Sequence, residues 1–130
     1  MAVELTCLAW SVSIGLAHII IAGQARTNEL GTSWNMSARD GVQPALSPMT
    51  NRLFRAQANF FETFPLFAAV ILITATAQLY STFSHWGAIF YVAARTIYFP
   101  LYAFGVPYLR TIVWIISLIG ILLVLCPLIF

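Results

Sequence analysis

The stretch NRLFRAQANFFETFP, Asn51 to Pro65, opens a long apolar segment that runs to Leu79 and reads as a membrane span. Yet it carries Arg52, Arg55, Asn59 and Glu62 at spacings of three, four and three. Those spacings place all four on one face of an α-helix. The residues between them are mostly Leu, Phe and Ala. An ionisable group inside a span is costly and normally faces protein or a water-filled cavity. The polar stripe therefore predicts a buried partner or a ligand. Pro65, three residues past Glu62, removes a backbone donor in mid-helix and predicts a kink.

The rest of the chain fits that reading. It has 130 residues, 61% hydrophobic and 8% charged, with a mean hydropathy of +0.89. A soluble domain carries about 25% charged residues, so the composition is that of an integral membrane protein. The length suits about four spans of ~20 residues. Continuous apolar runs, rather than alternating ones, favour helices over a barrel. The expected architecture is all-α: one transmembrane four-helix bundle over residues 1–130, with both termini on the same side. Spans are placed roughly at 5–22, 53–79, 83–102 and 108–129, with a polar loop at 24–51. The start, MAVELTCLAW, lacks the basic n-region of a signal peptide, so the first run is read as a retained span.

Charge and composition exclude several classes. The net charge of +2 is too small to predict nucleic-acid binding. All six basic residues are Arg, so Schiff-base chemistry has no Lys to use. Two Cys without a CxxC and two His predict no metal site. His18 is read as a packing or interfacial imidazole, with a ligand-facing role as the alternative. Cys7 and Cys126 are read as buried apolar residues, with a disulfide as the alternative. Arg39-Asp40-Gly41 reads as a turn with a charge pair, and Trp34 as an interfacial anchor. By counting spans, Arg26, Arg39, Arg52, Arg55 and Arg110 all fall on the side of the long loop. The positive-inside rule then puts that loop in the cytoplasm and both termini outside. A cytoplasmic Asn35-Met36-Ser37 would never meet the glycosylation machinery.

The third span repeats the polar theme with Arg95, Tyr98 and Tyr102, spaced three and four. Glu62 and Arg95 lie at matched depths on neighbouring antiparallel helices, roughly 12 Å from the cytoplasmic end at ~1.5 Å per residue. They are expected to form a structural ion pair. Above them gather Arg55, Gln57, Asn59, Tyr98 and Tyr102, with Arg26 and Arg110 at the rim. Guanidiniums suit carboxylates, so the expected ligand is small, polar and multiply anionic. An Arg beside a thiol favours thiolate, and an anionic thiol peptide fits such a site.

Arg52 to Pro65, with its spacing R-x-x-R-A-x-x-N-x-x-E-x-x-P, resembles the second-span signature of the MAPEG family, the membrane-associated proteins of eicosanoid and glutathione metabolism. Arg95-x-x-Tyr98-x-x-x-Tyr102, followed by an Arg at the start of the fourth span, is similar to the family's second signature. The chain looks most like a short bacterial member, which implies a bacterial inner membrane. The resemblance implies a homotrimer that binds glutathione between protomers, near the cytoplasmic face. Arg55, Asn59 and Glu62 would hold the peptide. Tyr98 and Tyr102 would come from the neighbouring protomer, and Arg26 would stand at the rim. Arg110 would stabilise the thiolate as the catalytic residue. Asn51, Thr63 and Thr111 depart from residues found in catalytic members. The implied function is a glutathione transferase or peroxidase acting on lipophilic electrophiles, with glutathione as co-substrate, membrane lipid around it and no nucleic-acid partner. The alternative is a non-catalytic lipid-binding or scaffold subunit of a larger membrane complex. A proton-coupled exporter fits less well, because the buried Glu lies in the second span and is expected to be paired.

Overall fold

Five helices account for most of the chain in the computed structural model, which describes residues 1–130: α1 (Val3–Leu30), α2 (Thr32–Met36), α3 (Pro48–Ala77), α4 (Thr82–Ala103) and α5 (Pro107–Ile129). There is no strand. Three of them, α1, α3 and α5, are long and apolar enough to cross a membrane. The chain is an integral membrane protein. α4 has 22 residues, long enough to cross at ~1.5 Å per residue, but Ser84, His85, Arg95 and Thr96 dilute its apolar character.

Helix starts follow local chemistry. Ser47 caps α3 by accepting from the Thr50 amide at 3.3 Å, and Pro48 takes the first turn, where a missing N–H costs nothing. Ser81 and Ser84 form a reciprocal capping box at the start of α4. Between them, Gln78 closes α3 in the left-handed region at φ 58°, which leaves a short connection between α3 and α4. α3 continues as helix through Pro65 to Ala77.

The expected polar loop at 24–51 is shorter than its composition implies. α1 runs on to Leu30, supported by Gln24 donating to Asn28 at 2.8 Å and Thr27 to the Gly23 carbonyl at 2.9 Å. α2 follows after Gly31, and the one extended stretch without helix is residues 37–47. The Glu29 carboxylate then fastens the end of α1 to the start of α3. It accepts from the Ser47 amide at 2.7 Å, from the Ser47 hydroxyl at 3.0 Å and from the Thr50 hydroxyl. Arg39 does not pair with Asp40; it donates to the carbonyl and side-chain oxygens of Asn35 at 2.8 and 2.9 Å.

α4 and α5 cross at close range through Gly87 and Gly120. A Cβ on either glycine would stand 2.6 Å from the other's carbonyl oxygen. Around this crossing Phe67, Val70, Ile71, Ala88, Tyr91, Ile121 and Val124 form the main apolar core with Cys7. Cys7 is buried and Cys126 exposed, and neither forms a disulfide. His18 is buried and stacks on Phe99 at 3.8 Å and Phe60 at 5.1 Å, a packing role. Glu4 at the start of α1 is buried and lies 4.0 Å from His85 at the start of α4. Those two helices therefore run parallel.

Candidate functional site

Arg95 is fully buried. A guanidinium taken out of water loses hydration that only partners in the protein can replace. Its Nη1 donates to Asn59 Oδ1 at 2.8 Å and its Nη2 to Thr63 Oγ1 at 3.0 Å. The rings of Tyr98 and Tyr91 lie 4.9 and 5.9 Å from its Cζ, where their faces attract a cation. Thr63 in turn shares a hydrogen bond of 3.0 Å with the Tyr91 hydroxyl.

The expected Glu62–Arg95 ion pair is not made. Glu62 is exposed, and Arg95 is held by Asn59 and Thr63 instead. The reason is azimuth. At about 100° per residue, Asn59 and Thr63 lie about 40° apart on α3, while Glu62 falls about 60° beyond Asn59 on the other side. Glu62 matches Arg95 in depth but not in direction. Arg55 shares the azimuth of Glu62 to within about 20°, and both side chains are exposed. Arg52 turns inward and donates from Nε to the Ala103 carbonyl at 2.9 Å, tying α3 to the end of α4.

A cleft of about 230 Å³ opens beside Arg95, lined by Asn59 of α3, Tyr98 and Tyr102 of α4, and Arg110, Thr111 and Trp114 of α5. Tyr102 is bracketed by cations. Arg55 Nε donates to its hydroxyl at 3.2 Å, and Arg110 lies over its ring at 4.7 Å. Tyr98 and Tyr102 stand 5.6 Å apart, ring centre to ring centre. Three guanidiniums meet at this corner: Arg55 and Arg110 at Tyr102, and Arg95 behind Asn59 and Tyr98. Such a set of donors and positive charge favours an anion.

Of the expected site residues, Asn59, Tyr98, Tyr102 and Arg110 line one cleft, and Arg55 joins it through Tyr102. Within the chain these residues belong to α3, α4 and α5. Arg26 and Gln57 stand apart. Arg26 donates to Asn35 Oδ1 at 3.3 Å and packs over Phe54 at 4.9 Å. Phe54 and Gln57 share a face of α3, and Gln57 lies about 160° round from Asn59. Thr63 and Trp114 were not among the sequence candidates. Helical spacing marks both, since Thr63 is four residues after Asn59 and Trp114 four after Arg110.

The family model that describes the MAPEG family matches residues 5–130 of the chain. No curated protein and no solved structure matches it.

Proposed function

Because the chain belongs to the MAPEG family, a membrane family of glutathione-related function, we propose that it is a glutathione transferase or peroxidase that acts on lipophilic electrophiles. The observation that carries this reading is the convergence of Asn59, Tyr98, Tyr102 and Arg110 on one cleft, with Arg55 bonded to Tyr102. Glutathione is an anionic tripeptide with a thiol. Its carboxylates suit Arg55 and the amide of Asn59. Arg110, at the α5 end of the cleft, is the residue to stabilise the thiolate, with Tyr98 as a further donor. A guanidinium beside the sulfur favours the ionised form and makes the nucleophile available at neutral pH. The thiolate lone pair then forms a carbon–sulfur bond. The displaced electron pair leaves with the electrophile's leaving group, or settles on an oxygen that takes a proton from water.

The reading extends to the assembly and the membrane. α1, α3, α4 and α5 would all span, as a four-helix bundle with both termini outside. The cleft then opens at the cytoplasmic boundary of a bacterial inner membrane, on the arginine-rich side. Three copies would form a homotrimer, in which Arg26 and Gln57 of one chain meet glutathione held by its neighbour. Those two lie on the flank of α3 away from the cleft, which fits a contribution to another copy's site.

Ultraviolet difference spectroscopy of the purified protein in detergent tests the chemistry. Adding glutathione at neutral pH is expected to raise the thiolate absorbance, and Arg110→Ala to abolish that rise. Binding without a thiolate signal would leave a receptor or scaffold and sink the enzyme reading.

A further inference from the structure

Of the four acidic residues, Glu29, Asp40 and Glu62 are exposed and only Glu4 is buried. It stands in the first turn of α1, at the end of the fold opposite the cleft. That helix start suits a carboxylate. Yet no hydrogen bond within the chain reaches the Glu4 side chain, and its one charged neighbour is His85, with Nδ1 4.0 Å from Oε1. A buried carboxylate keeps its charge only if a partner replaces the water it has lost. His85 is a partner of a particular kind. Its side chain is 40% exposed, so it exchanges protons with solvent, and an imidazole changes its charge near neutral pH.

The surroundings supply no substitute for His85. α1 adds Cys7 and the exposed amino end at Met1, and the turn before α4 adds Tyr80. The last turns of α3, Leu66 to Ala77, hold no titratable residue, and the end of α5 adds Cys126 and the terminal carboxyl of Phe130. Every arginine lies elsewhere; the nearest on α4 is Arg95, about 15 Å along the helix from His85. Glu4 also sits over the main apolar core. Cys7, one turn on, is buried in that core with Phe67, Ile71, Ala88 and Tyr91, and Leu5 and Leu8 pack against it. The start of α1 therefore covers the core only while Glu4 is content to stay inside.

We propose that Glu4 and His85 form a proton-operated latch between the starts of α1 and α4. With His85 protonated the pair closes, and the first turns of α1 stay packed on the core. When His85 loses its proton, Glu4 is left as a buried charge without a partner. It then turns to solvent, and the start of α1 loosens. The closed form binds one proton more than the open form, so closure is favoured as pH falls and is lost as pH rises. The latch answers to acidity on the side of the termini and is independent of what the cleft binds.

Hydrogen exchange read by mass spectrometry tests it on the full chain in detergent, at about pH 6 and about pH 8, which bracket the usual imidazole titration. Each rate is divided by that of a free amide at the same pH. The peptide covering residues 1–12 is expected to be about fivefold less protected at the higher pH, the worth of a partly exposed ion pair. A peptide covering residues 113–121 of α5 should be equally protected at both. Glu4→Gln and His85→Gln should each abolish the pH dependence. The chain has two histidines, so proton NMR follows both imidazoles and His85→Gln assigns them. His85 in the wild-type chain is expected to hold its proton about threefold more tightly than in Glu4→Gln, a shift of about half a pH unit. Equal protection of residues 1–12 at both pH values in the wild-type chain would overturn the proposal, with no variant needed. Equal proton affinity of His85 with and without the Glu4 carboxylate would do the same, as would a pH dependence that survives either substitution.

Discussion

Arg95 shows how one buried charge organises the site. It is the largest fully buried side chain, and it holds Asn59 and Tyr98, which line the cleft. Asn59 Oδ1 is engaged by Arg95, so its amide NH₂ is the part left for a ligand. Thr63 serves the same guanidinium without lining the cleft. Thr63→Val keeps the shape but removes the bonds to Arg95 and to the Tyr91 hydroxyl. It is expected to lower stability by about 1–3 kcal/mol, since buried donors lose their acceptor. Thermal unfolding in detergent reads that loss. Glutathione titration should show Asn59→Ala losing far more affinity than Thr63→Val. Equal losses of affinity would mean that Asn59 acts only through Arg95. The stripe from Arg52 to Glu62 was legible in the sequence because ionisable residues at helical spacing inside an apolar run have few explanations. The partner of Arg95 was not. Depth along two helices reads off residue counts, but the choice between Glu62 and Thr63 depends on how α3 is rotated against α4.

Among the elements, the α4–α5 pair is fixed by its glycines. Gly87 and Gly120 bring the two backbones so near that an added Cβ would meet a carbonyl oxygen at 2.6 Å. Backbone cannot give way as a side-chain end can. Gly120→Ala is therefore expected to push α5 off α4. The cleft would lose its α5 wall, and thermal stability and glutathione binding should fall together. Gly15→Ala is the contrasting case. Its Cβ would meet Phe60 Cε1 at 3.1 Å, the edge of a ring that shifts by a few tenths of an ångström, so little loss is expected. A stable Gly120→Ala protein that binds glutathione normally would contradict the crossing described here. From sequence alone, Gly120 in the run ISLIGILL reads as one helix glycine costing about 1 kcal/mol against Ala. Its importance belongs to two helices at once, which no single-helix pattern records. The boundaries of α4 and α5 fall within one residue of the expected 83–102 and 108–129, whereas α3 starts at Pro48, five residues before the expected 53, because the Ser47 cap and Pro48 start a helix inside a stretch whose composition reads as loop. The extension of α1 to Leu30 was not legible either, because Gln24 to Asn28 is polar helix outside the apolar run. Polar helix and polar loop share a composition.

For the molecule as a whole, the distribution of the candidate residues makes the proposed assembly testable. One chain supplies a cleft with Asn59, Tyr98, Tyr102 and Arg110, but Arg26 sits on another flank, against Phe54 and α2, and Gln57 falls on that same face of α3. If glutathione needs both groups, a single copy is incomplete and each site takes Arg26 and Gln57 from the next chain. Two crippled chains then complement each other. A chain with Arg26→Ala and Gln57→Ala keeps an intact cleft, and a chain with Arg110→Ala keeps an intact outer flank. Each alone is expected to lose conjugating activity. Co-expressed and co-purified through different tags, they form mixed assemblies in which some clefts with Arg110 face a flank with Arg26 and Gln57. Those assemblies should regain a fraction of wild-type activity that neither parent shows. If all the residues served one chain's own site, every site in the mixture would carry a lesion and no activity would return. Mixing the two purified parents without co-assembly controls for exchange, and a return of activity there would show that subunits exchange in detergent. The outcome reads directly on whether the arginine-rich end of the bundle is one chain's pocket or a surface shared between copies.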